Sequence, residues 1–127
     1  MSSVLEVLWA VACVGLGAFV GGAGRYWFST ILPAPACTFA ANMVGSASIG
    51  VAWGLLEGRP DLWAGAFEAL VVIGFAGGMS TWSTLAKELG EMLRQRRYTR
   101  LASYAFWTLG LGIVLAWRGA WAASFFV

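Results

Sequence analysis

The chain has 127 residues, of which 60% are hydrophobic and 11% charged, with a formal net charge of +2 at pH 7. Soluble domains carry roughly 25% charged residues, so this composition excludes a water-covered fold and points to an integral membrane protein. Histidine is absent, which excludes histidine metal ligands and a histidine proton relay.

Uncharged runs occur at residues 7–24, 38–56, 69–86 and 101–117. A helix needs about 20 mainly apolar residues to cross the hydrocarbon core. With their flanks the runs predict membrane spans at about 5–29, 38–57, 62–90 and 101–124, within a single all-α domain over 1–127. None alternates apolar and polar residues as barrel strands do. The first run is expected to be a retained span rather than a cleaved signal peptide, because Glu6 precedes it and no Lys or Arg does. Cys13 and Cys37 read as small apolar filler, not as a disulfide framework. The connections, at 32–37, 57–61 and 87–100, are too short for a soluble catalytic domain.

Basic residues are unevenly shared between the two ends of the spans. Lys87, Arg94, Arg96, Arg97 and Arg100 follow the third span, and Arg25 adds to the same side, against Arg59 and Arg118 opposite. The positive-inside rule therefore predicts a cytoplasmic third loop and external termini. The Arg94–Arg100 cluster reads as a helix end among anionic headgroups, with nucleic-acid binding disfavoured.

Polar side chains in hydrocarbon usually face protein or a water-filled path, and they fall into four sets. In the first span, Gly21, Gly22 and Gly24 allow close helix approach, and Arg25 is either a snorkelling anchor or a source of positive potential at an anion entrance. In the second, Asn42, Gly45, Ser46 and Ile49 share one helical face, so Asn42 is either interhelical glue or a pore-lining donor. In the third, Gly77-Gly78 weakens the helix by about 1 kcal/mol per Gly and hydroxyls follow at Ser80, Thr81, Ser83 and Thr84. A break near Gly77-Gly78 would free carbonyls able to hold an ion. Beyond it Thr81, Thr84, Leu85 and Glu88 share a face. The alternative is a glycine packing contact with back-bonded hydroxyls. In the fourth, Tyr104 and Thr108 lie one turn apart, ahead of Gly110 and Gly112.

The order GAGRY (from Gly22), TFxxNxxGS (from Thr38) and GFxGGxSTxST (from Gly74), followed by Glu88, resembles the CrcB/Fluc family of small bacterial fluoride channels. The third motif is the specific one. The resemblance covers essentially the whole chain. It implies a bacterial inner-membrane protein assembled as an antiparallel, dual-topology dimer, which lets fluoride leak passively out of the cell and confers fluoride resistance. It further implies a structural sodium ion at the dimer centre, held by the backbone carbonyls of Gly77 and Ser80. The fluoride path would involve Asn42, Thr81, Trp82, Ser83, Thr84, Leu85, Tyr104 and Thr108, with Arg25 and Glu88 shaping the potential at its mouth.

The chain departs from the family pattern where TTFSTF becomes Ser80-Thr81-Trp82-Ser83-Thr84-Leu85. Trp82 keeps an aromatic edge and adds an indole N–H; Leu85 offers neither. Together with the charge bias, this suits a subunit of a heteromeric channel paired with an oppositely oriented homologue, as an alternative to the homodimer. A small drug exporter is disfavoured, since the first span has only Glu6 at its edge. A non-transporting packing subunit remains a further alternative. An enzyme is least favoured, because no nucleophile–base pair or metal cluster appears.

Overall fold

The computed structural model describes residues 2–59 and 61–127, and of Ser2 only the backbone. Among the described residues there are no strands, and four helical stretches are long and apolar enough to cross a membrane: Ser3–Ile31, Ala36–Leu56, Leu62–Arg94 and Tyr98–Phe126. The chain is thus an all-α, multi-pass membrane protein.

Helices α1 (Ser2–Ile31) and α2 (Ala36–Leu56) are continuous. The third span is composite. It starts with α3 (Leu62–Phe67), capped by Asp61, whose Oδ1 accepts from the Ala64 N–H at 2.8 Å. It continues through a π-helical stretch (Glu68–Ala76) and α4 (Gly77–Met79), breaks, and resumes as α5 (Trp82–Arg94). Helix α6 (Tyr98–Ala123) ends in a 3₁₀ turn at Ser124–Phe126.

Helix α5 runs to Arg94, past the span end expected at about 90, so Glu91 and Arg94 of the polar connection are helical. The link to α6 is a tight helix-ending turn. Arg96 takes a left-handed conformation, with φ 56°, and the Arg97 N–H closes onto the Met92 carbonyl at 2.9 Å.

Lipid-soluble helices gain little by hiding apolar side chains from one another, so small residues and backbone contact carry the packing. Helix α1 lies against the π-helical stretch, where a methyl on Gly17 or Gly21 would overlap the Leu70 or Phe75 carbonyl oxygen. Helix α2 lies against α6 in the same way, with Gly50 against the Ala116 carbonyl and Gly54 against that of Ala120. Large side chains such as Trp9, Phe19, Trp53, Phe106 and Trp117 are exposed on the outer surface, where a bilayer would surround them.

Candidate functional site

The break in the third span falls later than the glycines suggest. Ser80 (φ −77°, ψ 155°) and Thr81 (φ −147°, ψ 120°) are extended, whereas Gly77 is helical at φ −64°, ψ −40°. Gly78 serves close approach instead: a methyl there would sit 2.6 Å from the Ala18 carbonyl oxygen of α1. What opens the helix is Asn42. Its Oδ1 accepts the Thr81 N–H at 2.7 Å, and its Nδ2 donates to the Thr81 carbonyl at 3.3 Å. An uninterrupted helix would send that N–H to the Gly77 carbonyl.

Helix α5 restarts with Thr81 as its cap. Thr81 Oγ1 accepts the Thr84 N–H at 3.2 Å and donates to Thr84 Oγ1 at 3.1 Å. That N–H is the one a helix would send to the Ser80 carbonyl. The carbonyls of Gly77 and Ser80 are therefore both released from helical pairing, and Gly77 is exposed with open space around it. Ser80 Oγ is occupied, donating to the Ala76 carbonyl at 2.7 Å.

An open cleft of about 380 Å³ runs from this break between α2 and α6. It brings together Asn42, Thr81, Trp82, Leu85 and Thr108, and also Ser46. Trp82 is 72% exposed beside it, while Leu85 is buried. Thr108 is buried and its Oγ1 has no hydrogen-bond partner, an arrangement that costs about 1–3 kcal/mol unless a ligand or water answers it. A second cleft, of about 290 Å³, joins Arg25, Cys37, Thr38, Thr81 and Thr84. Thr81 is thus common to both.

Midway along α5, Glu88 ties that helix to two others. Its Oε1 accepts from Thr38 Oγ1 of α2 at 2.8 Å, and its Oε2 accepts from Tyr104 OH of α6 at 2.8 Å. Tyr104 OH also lies 3.5 Å from the Pro35 carbonyl, and Tyr104 stands at the end of the polar stripe rather than in the cleft. Ser83 is exposed and lines neither cleft. Thr38 and Ser46 were not singled out as site residues from the sequence. The shared-face spacing of Asn42 and Ser46 pointed to Ser46, whereas nothing local marks Thr38 as the partner of Glu88.

A family model described as "CrcB-like protein, Camphor Resistance (CrcB)" matches residues 12–120. A protein named fluoride-specific ion channel FluC 2, from Corynebacterium diphtheriae, is 42% identical over 104 residues, covering 82% of this chain and 91% of its own length. Proteins named fluoride-specific ion channel FluC from Ignicoccus hospitalis and Paracidovorax citrulli are each 33% identical, over 109 and 113 residues, covering 83% and 86% of this chain and 87% and 89% of their own lengths. With the motifs of the second and third spans meeting at the break, and with matches of this extent, the chain belongs to the CrcB family.

Proposed function

We propose that this protein is a fluoride channel that passes the ion down its electrochemical gradient and so supports fluoride resistance. The observation that carries the reading is the cleft at the break, lined by both Asn42 and Thr108, whose buried hydroxyl has no partner. A small, strongly hydrated anion can shed water only where donors replace it. Hydroxyls and amides do this without the deep trap a buried cation would make, and conduction needs release as well as binding. Asn42 has two amide N–H groups and spends one on Thr81, which leaves one for the cleft. Arg25 in the second cleft supplies positive potential at a mouth.

The freed carbonyls of Gly77 and Ser80 are hard oxygen donors and fit a sodium ion. A two-fold axis beside them would double the set to four, so the reading includes a dimer of oppositely inserted subunits. There the sodium ion would supply positive charge to hold the broken spans together. The uneven basic residues favour a second form of this assembly, in which the partner is a homologue of opposite bias.

A fluoride-hypersensitive bacterium expressing the chain at matched membrane levels tests the proposal. Growth in fluoride restored by the chain alone is the expected result. Rescue only on co-expression with an oppositely biased homologue selects the heteromer, and no rescue in either case overturns the reading.

A further inference from the structure

Helices α2 and α6 run in the same direction, being the second and fourth spans, and their register is constant along the cleft. Thr38 and Tyr104 meet at Glu88; Asn42 and Thr108 line the cleft beside them; a Cβ on Gly112 would lie 3.2 Å from Ser46 Oγ. One turn further on, Gly50 closes against the Ala116 backbone. The polar stripe is thus a ladder of facing positions that ends where the two backbones touch.

The last open rung differs from the others. On α6 it holds only Gly112, so the single polar side chain there is Ser46. Ser48 donates to the Val44 carbonyl at 2.8 Å, and Ser80 likewise bonds the carbonyl one turn back. Ser46 Oγ makes no such bond and has no hydrogen-bond partner among the described residues, although it lines the cleft. Thr108, one turn along α6 from Gly112, carries the buried hydroxyl that also has no partner. Two hydroxyls on facing helices are left unpaired at neighbouring rungs: that of Thr108 is buried, which is costly unless something accepts from it, and half-buried Ser46 opens on the cleft.

We propose that Ser46 is an anion-contacting residue: its hydroxyl, one rung from that of Thr108, donates to fluoride in the cleft, beyond the Asn42–Thr81 break. Gly112 is small so that Ser46 can occupy that rung. This inference rests on the fluoride reading and adds to it a residue and a second donor station.

The test is fluoride efflux from liposomes holding the purified dimer. Ser46→Ala is expected to slow efflux about three- to tenfold, the worth of one replaced hydrogen bond, with unchanged gel-filtration profile and thermal midpoint. The hydroxyl is then returned from the facing helix. With Ala at 46 the crowding oxygen is gone, so the double variant Ser46→Ala/Gly112→Ser should recover to within about twofold of the wild type, as the same bond is regained. A purely structural role for Ser46 would not be repaired from α6. Wild-type efflux by Ser46→Ala, or slow efflux that Gly112→Ser does not raise, overturns the assignment while leaving the fluoride reading in place. A wild-type protein that releases no fluoride overturns the reading, and the assignment with it.

Discussion

Asn42 holds Thr81 at both backbone groups of one residue, accepting from its N–H at 2.7 Å and donating to its carbonyl at 3.3 Å. A side chain on α2 thereby replaces the helical bond that the third span gives up. The same contact frees the Gly77 carbonyl and lets Thr81 turn out to cap α5.

Two substitutions separate the structural and conducting parts of that contact. Asn42→Ala removes both bonds and leaves the Thr81 N–H unanswered, at a cost of about 1–3 kcal/mol. A clearly lowered thermal midpoint in detergent is the expected reading. Asn42→Asp keeps an acceptor for Thr81 but removes the amide donors and adds negative charge. It should stay closer to the wild type in melting temperature while losing about tenfold or more in fluoride efflux.

The Glu88 carboxylate joins Thr38 and Tyr104, so its loss should be felt on three helices at once. Glu88→Ala leaves two hydroxyls without their acceptor and is expected to destabilise by about 2–4 kcal/mol. Tyr104→Phe removes one donor and leaves the carboxylate its bond from Thr38, so about 1 kcal/mol is expected. Paired with Thr38→Val in a double-mutant cycle, it should show a coupling energy above about 0.5 kcal/mol. Additive effects in urea or thermal unfolding would argue against a shared carboxylate.

Gly50 faces the Ala116 carbonyl with no room for a methyl group. Gly50→Val should push α2 from α6 and cost at least about 1–3 kcal/mol. Gly15, which has open space around it, is the control: Gly15→Ala should be neutral or slightly stabilising, since it improves helix propensity by up to about 1 kcal/mol.

Replacing sodium by a bulky organic cation should weaken dimer assembly if the Gly77 and Ser80 carbonyls hold the ion, as read by gel filtration or chemical cross-linking. Ser80→Ala should leave assembly intact, because it keeps the carbonyl and loses only the hydroxyl bond to Ala76. Assembly that is indifferent to sodium would count against the site.

The spans and the existence of the break were legible because they rest on composition and local chemistry. Long uncharged runs need no partner to be recognised, and hydroxyls beside paired glycines in a membrane segment mark unmet backbone groups. The position of the break was legible only to within about a turn. Gly77 and Gly78 carry the helix-breaking propensity, yet they stay helical, because Gly78 is needed against Ala18 and the competing acceptor for Thr81 is supplied by Asn42. That choice is made by a contact between distant segments. The Thr38–Glu88–Tyr104 link was hidden for the same reason. The shared face of Asn42 and Ser46 was visible, but the register of α6 that places Gly112 opposite Ser46 is a product of packing at Gly50 and Gly54. The third span's helix continues past its expected end at about 90 to Arg94, since Glu, Met, Leu and Arg are good helix formers.

The most direct test is fluoride release from liposomes loaded with potassium fluoride and containing this chain, alone and with an oppositely inserted relative. The account predicts release that begins on adding valinomycin, which lets potassium follow, and that far exceeds chloride release under the same gradient. Release no faster than from empty liposomes, or equal rates for the two anions, would contradict it.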